Sequence, residues 1–402
     1  MKLKPTIVAV IAVATGLTSC EKNLYDPSLD KTEVKIENLK IGDGFDWLTT
    51  QNSTCKVNAE QSVNVSIYQD EACKVMLAKT SVIPGNNIQL NLSVIKNSQK
   101  LYLQVEGRNQ VYPISVNTDG SFDFNIPAAP TSRAATRAES DFEDRGTTIF
   151  YPNGNWGTVM FEDNYPLIGD YDFNDFVASY MVEIHTYPGT SYIKTIQFYM
   201  AIHAIGATYN YIPHLRIRSF ENSVVKLPMM VNATGMPNLD VKRFADGKVD
   251  DPNAGKIVLA FNGAEDKKGQ KFLNTEKGSQ YIPGNKFDVT LTFAEEDQLD
   301  IEYIYADKFD IFLADKNRTK EIHMLGYGPA FATGKDYAND DYYKQAGTNL
   351  VWGINVPNVI GHAYEKCNFL DAYPDFAKWV EGDMNANEWY KNQNSEYIFQ
   401  MK

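Results

Sequence analysis

Apolar and polar residues alternate with a period of two along most of this chain, and each alternating run is closed by turn-forming residues. Lys56-Val57-Asn58, Val63 to Tyr68, Val75 to Ala78, Ile88 to Leu92 and Lys100 to Val105 have this form. Pro84-Gly85-Asn86-Asn87 supplies a turn among them. Side chains two apart share a face, so these runs predict strands with one face buried, and residues 34–127 are expected to form a small antiparallel β-sandwich. The pattern stops at Pro127-Ala128-Ala129-Pro130-Thr131-Ser132-Arg133-Ala134-Ala135-Thr136-Arg137. Small residues and two prolines without a large apolar anchor predict a linker over 128–141, with Arg133 and Arg137 as protease targets. It resumes in Gly146 to Phe161, Val177 to Ile184, Tyr192 to Ile205, Lys256 to Phe261 and Phe287 to Phe293. Phe309 to Ala314 and Lys320 to Leu325 follow as a pair, joined by a hairpin turn at Asp315-Lys316-Asn317-Arg318. Residues 142–402 therefore predict a larger antiparallel β-sandwich. Phe369 to Val380 predicts a short C-terminal helix burying Phe369, Ala372, Phe376 and Trp379, with Pro374 restricting its start to Asp371 or later. The expected fold class is mostly β.

The amino terminus has a different pattern. Lys2 and Lys4 precede a run from Thr6 to Leu17 of mostly Ile, Val and Ala, too short for a stable membrane anchor and suited to a secretory signal over 1–19. The run ends in Leu17-Thr18-Ser19-Cys20, which resembles a lipobox. That resemblance implies cleavage before Cys20, which would carry an N-terminal diacylglycerol and an acyl chain. Buried methylenes contribute about 0.8 kcal/mol each, so such an anchor holds a protein firmly at a membrane. The polar residues 20–33 would then be a tether. Loss of Lys2 and Lys4 takes the formal charge from −13 to −15, which argues against nucleic acid as a partner. With Cys20 lipidated, Cys55, Cys73 and Cys367 remain. Cys55 and Cys73 could bridge, or all three could be thiols, the reading favoured slightly because nothing else resembles a disulfide-dependent scaffold.

Candidate chemistry concentrates between Phe161 and Phe176. Glu162, Asp163, Asp170, Asp172, Asn174 and Asp175 carry hard oxygen donors, and Tyr171, Phe173 and Phe176 are interleaved with them. Like charges packed this closely repel unless a cation sits among them, and mixed carboxylate and amide oxygens suit calcium. The Asp170-x-Asp172-x-Asn174 spacing opens like an EF-hand loop, but Asp175 stands where that loop needs Gly, and no Glu occupies position twelve. An EF-hand is rejected; the competing reading is a solvated acidic loop capping turns. Glu295-Glu296-Asp297 and Asn339-Asp340-Asp341 are read as solvated clusters, and His323, His203 and His362 as structural histidines. Tyr342, Tyr343 and Trp352 are read as packing residues, with stacking on sugars as the alternative. No Gly-x-Ser-x-Gly, His-Glu-x-x-His or Gly-rich phosphate loop occurs, and the protein is not expected to be an enzyme.

Phe161-Glu162-Asp163, a spacer and Gly169-Asp170-Tyr171-Asp172-Phe173-Asn174-Asp175-Phe176-Val177 resemble the signature of LruC-domain proteins, many of them bacterial outer-membrane lipoproteins. Glu321-Ile322-His323-Met324-Leu325-Gly326-Tyr327 and Leu370-Asp371-Ala372-Tyr373-Pro374-Asp375-Phe376 are similar to that family's carboxy-terminal motifs, so the resemblance covers about residues 142 to 384. It implies an LruC domain over 142–402 and an outer-membrane lipoprotein, at the cell surface on the present reading. The acidic motif is also similar to that of calcium-dependent adhesins. The expected role is adhesion or surface binding to a host, cell-surface or glycan ligand. The alternatives are a carbohydrate-binding accessory lipoprotein and a structural envelope component without a ligand.

Overall fold

The structure, a computed structural model, describes residues 35–86, 89–128, 142–218, 230–236, 238–245, 248–249, 256–331 and 342–400. The expected signal, Cys20, the tether, Ala129 to Asp141 of the linker, and Asn339-Asp340-Asp341 lie outside these residues. Lys35–Lys402 make one compact unit, mostly β, in antiparallel sheets with a sandwich-like arrangement and short C-terminal helices. Among the described residues no helix is long and apolar enough to cross a membrane.

Among the described residues, eleven strands form the largest sheet. Its path runs Met230–Thr234, Lys286–Thr292, Ile193–Ala204, Phe176–Thr186, Thr147–Tyr151, Met76–Val82, Val63–Tyr68, Lys100–Val105 and Val111–Ser115. Gly157–Phe161 pairs beside Phe176–Thr186 and carries Gly353–Val356 on its other edge. The sheet passes without a break across the stretch expected to separate two sandwiches, because Met76–Val82 pairs with Thr147–Tyr151, Ala78 opposite Ile149. A three-stranded sheet sets Gln89–Ile95 antiparallel and Phe122–Ile126 parallel to Thr50–Ala59. A six-stranded sheet runs Lys248–Val249, Leu239–Ala245, Lys256–Phe261, Tyr211–Ile217, Phe309–Asp315 and Glu321–Ile322.

The period-two pattern fills the space between sheets. Ile196, Phe198, Met200 and Ile202 from one strand and Val182 and Ile184 from its neighbour point inward, and Leu215, Ile217, Leu259 and Phe261 of the six-stranded sheet share their core. The Phe198 and Phe261 rings stack at 5.6 Å between centroids. Tyr211–Ile217 and Lys256–Phe261 are buried at every position, so the six-stranded sheet is covered on both faces there. Its second face carries His214, Arg216, Asp310 and Phe312.

A second core joins Ile36, Leu39, Ile41 and Trp47 to the C-terminal residues Phe369, Phe376, Trp379 and Trp389. The expected helix is two short ones, α1 (Phe369–Ala372) and α2 (Phe376–Val380). The expected start at Asp371 is corrected: Pro374, which has no N–H, interrupts the helix and does not set its beginning. Phe369, Ala372, Phe376 and Trp379 are all buried, as the helical spacing indicated. Asp315 closes the hairpin as expected, its carboxylate accepting from the N–H groups of Asn317, Thr319 and Lys320. Cys55, Cys73 and Cys367 are free thiols. Tyr343 and Trp352 are packed inside, while Tyr342 is exposed.

Candidate metal centre

The acidic stretch connects two strands of the large sheet, leaving at Phe161 and returning at Phe176. Its entry is fixed by Glu162 N–H donating to Trp352 O at 2.9 Å, and its exit by Gly206 N–H donating to Asn174 O and Asp175 O at 3.1 Å. Between them the backbone does not run extended. Tyr171 and Phe173 both have φ of 52°, a left-handed conformation costing roughly 1–2 kcal/mol for a residue with a side chain. Two gains offset that cost. The N–H groups of Tyr171 and Phe173 converge on the Glu162 carboxylate at 3.2 and 2.6 Å, and both rings are fully buried in the second core, Phe173 against Phe369. Tyr171 and Phe173 are buried as expected, but through left-handed backbone and not the alternation of a strand, whereas Phe176, the first residue of its strand, is buried in the first core.

The six candidate oxygen ligands divide. Glu162, Asp170 and Asp172 come together, each offering a carboxylate oxygen within 4.8 Å of the others. Glu162 and Asp172 are buried and Asp170 is exposed, so the group opens to solvent on one side. Gly169 makes the approach feasible, because a Cβ there would stand 2.3 Å from Glu162 Oε2. Asp172 is held by the N–H of Asn174 at 3.1 Å and that of Lys366 at 2.7 Å. Asp163 and Asp175 form a second group, with Asp163 N–H donating to Asp175 Oδ2 at 2.8 Å and Tyr209 N–H to Asp163 Oδ2 at 3.3 Å. Asn174 is engaged elsewhere: its Nδ2 donates to Ala363 O, and its Oδ1 lies against Gly206.

The carboxylates of this loop crowd one another, with Lys267 near Asp163 and Asp175. Burial, then the nearby Asp175, Asp172 and Asp170 carboxylates, pushes Glu162 well above the usual carboxylate range, against a lowering hydrogen bond from Phe173. Burial and Asp170 push Asp172 up to about 8, and burial and Asp163 push Asp175 up to about 9. Among the described residues none of Glu162, Asp170, Asp172 or Asp175 forms an ion pair. Glu365, also raised by burial and then by Asp170, adds a further carboxylate from beside the Lys366 N–H. Sequence reasoning missed it, since nothing in Glu365-Lys366 marks it as a neighbour of a loop almost two hundred residues earlier.

His323 sits in a hydrogen-bonded structural setting, in line with the structural reading. His323 is buried with both ring nitrogens on carboxylates, Nδ1 at 2.8 Å from Asp310 and Nε2 at 2.9 Å from Glu321. Arg216 pairs with the same Asp310 oxygen at 2.7 Å and donates to Gly328 O and Pro329 O. Burial opposes ionisation of Asp310 and Glu321, but contact with His323, and with Arg216 for Asp310, outweighs it and holds both below their ordinary values. Glu295-Glu296-Asp297 is a surface 3-10 turn.

Residues 191–390 match the model of a family described as a domain of unknown function, DUF4842. The matched stretch includes Glu321 to Tyr327 and Leu370 to Phe376 and begins after the acidic loop. No curated protein matches. Among solved structures, one described as a "Putative lipoprotein from Bacteroides ovatus" aligns over 84% of this chain and 98% of its own, with a TM-score of 0.55 and 19% identity. A serine-rich repeat protein, Srr2, from Streptococcus agalactiae covers 68% of this chain and 90% of its own at 9% identity, but its TM-score of 0.21 carries no weight. Over residues 191–390 this chain is therefore similar to the DUF4842 family, and over most of its length it shares a fold with the Bacteroides ovatus protein.

Proposed function

We propose that this is a lipid-anchored envelope protein, held through Cys20 at the outer membrane, whose acidic loop binds calcium and thereby fixes a surface used in adhesion. What carries the reading is the convergence of the Glu162, Asp170 and Asp172 carboxylates within 4.8 Å, two of them buried, with no basic side chain among the described residues paired to them. Two anions buried together are costly unless protonated or neutralised by a cation, and an all-oxygen set with one side open to water suits calcium, which takes six to eight oxygens. The ion would tie Glu162, at the end of a sheet strand, to Asp170 and Asp172 across the turn and hold the exposed segment from Pro166 to Asp170 in one conformation. The lipoprotein description of the Bacteroides ovatus structure and the lipobox-like Leu17 to Cys20 support the anchor. The test is thermal melting of the full chain in calcium and in chelator. A ligand bound only by the folded form at a hundred times its Kd adds about 2.7 kcal/mol, so calcium should raise Tm by several degrees and Asp172→Ala should abolish the rise. Identical melts under both conditions would remove the site.

Glycan capture is the second reading. Tyr343 and Trp352 are buried and offer no platform, but Trp156 and Tyr199 are only partly buried, with ring centroids 6.0 Å apart beside Gln197, whose side chain accepts from Tyr199 Oη. Binding on a glycan array that is lost in Trp156→Ala and indifferent to chelator would favour it over the calcium-ordered surface.

A further inference from the structure

Residues directly opposed on neighbouring antiparallel strands share a face of the sheet. In the large sheet the register opposes Gln104 to Ser66, Ser66 to Lys79, Lys79 to Thr148 and Thr148 to His185, so these five form one polar row. Their chain neighbours Ile67, Ala78 and Ile184 are fully buried on the other face. The row lines a cleft of about 390 Å³, with Arg145 and Glu106 also in its wall. Contacts carry it on to the aromatic pair. Thr148 Oγ1 lies 3.0 Å from His185 Nδ1, His185 Nε2 lies 3.2 Å from Glu183 Oε1, and Glu183 Oε2 lies 3.5 Å from Tyr199 Oη, whose ring centre is 6.0 Å from that of Trp156. Six neighbouring strands contribute, so the strip is roughly 24 Å long at the usual strand spacing.

Charges cancel along this strip. Arg145 pairs with Glu106 at 3.1 Å and with Glu143 at 3.9 Å, while His185, then Lys79 and Tyr199, hold Glu183 below its ordinary value against burial. At the aromatic end the exposed Lys286 stands 5.7 Å from the centre of the Trp156 ring, and Asp288 follows on the same face of its strand. An anionic ligand would therefore meet as many carboxylates as cations. Uncharged hydrogen-bonding groups are open, since Ser66 and Gln104 make no side-chain hydrogen bond among the described residues. Aromatic rings at one end and free hydroxyl and amide groups at the other match a chain of hydroxyl-rich rings, each with an apolar face and a polar edge.

We propose that this strip binds a neutral oligosaccharide lengthwise, with Trp156 and Tyr199 stacking on a ring at one end and Ser66, Gln104 and His185 hydrogen-bonding along the cleft. The assignment rests on the glycan-capture reading and adds the ligand class and the rest of the site. The experiment is calorimetric titration of the full chain, in chelator, with neutral tetrasaccharides of glucose, mannose, xylose and N-acetylglucosamine, with their monosaccharides, and with an oligogalacturonate as the acidic control. At least one neutral tetrasaccharide should bind, about tenfold or more tighter than its monosaccharide, and Trp156→Ala and Gln104→Ala should each weaken it about tenfold. Gln104 is partly exposed and unpaired, so its variant should keep the wild-type Tm, and weaker binding at unchanged Tm marks direct contact. Binding lost in Trp156→Ala but unchanged in Gln104→Ala, or equal affinity for the monosaccharide, would leave glycan capture standing and overturn the extended site. Preference for the oligogalacturonate would overturn the neutral ligand class, and binding of no saccharide would remove glycan capture and this site together.

Discussion

At the scale of single residues, burial rather than position in the motif decides what each carboxylate does. Asp172 and Asp175 are pushed up to about 8 and about 9 because the folded chain desolvates them beside like charges, so the cation-free native state holds protons that the unfolded chain releases near pH 4. Their contribution is fully present below the unfolded values and is lost as pH rises through the folded ones. In chelator, Tm should therefore fall between about pH 5 and 9, and saturating calcium should flatten that decline; equal slopes would remove the electrostatic basis of the site. The Arg216, Asp310, His323 and Glu321 cluster behaves in the opposite sense. Asp310 and Glu321 are held below their ordinary values, so their contribution is present above about pH 4 and is lost as pH falls through the folded values. Asp310→Ala leaves Arg216 buried beside an unpaired His323 nitrogen and should cost about 3–5 kcal/mol in urea unfolding. Arg216 and Asp310 sit at positions that the alternation assigns to solvent, which is why no sequence feature marked them.

Among elements, the loop from Glu162 to Asp175 shows how backbone conformation makes a site from a motif. The density of acids is legible along the chain, but the selection of Glu162, Asp170 and Asp172 depends on the left-handed Tyr171 and Phe173 and on the absence of a side chain at Gly169. Gly169→Ala should displace the Glu162 carboxylate, leaving a folded protein whose melt no longer responds to calcium. Phe173→Ala should cost about 3–5 kcal/mol, because it empties a fully buried aromatic position against Phe369. The C-terminal helices teach the reverse: the spacing of Phe369, Ala372, Phe376 and Trp379 identified the buried face, although the element is two short helices on either side of Pro374.

For the whole molecule, the large sheet matters more than the change in composition near residue 130. Thr147–Tyr151 takes Met76–Val82 as its edge partner, Tyr151 Oη donates to Asn91 O at 2.6 Å, and Trp47 packs edge-on against Trp379. A fragment of residues 142–402 should consequently melt below the full chain and aggregate through the exposed edge of Thr147–Tyr151. A fragment as stable as the full chain would instead establish an independent second domain. By itself the sequence determined the β class, most strand positions, the hairpin at Asp315, the buried face near Phe369 and the place where acids gather, because these follow from local periodicity and side-chain chemistry. Tertiary structure alone decided that strands on both sides of residue 130 share a sheet, that Arg216 and Asp310 face inward, and which three carboxylates meet. Those outcomes rest on contacts between residues far apart in the chain, whose burial sets their charge, and no local pattern encodes such distances.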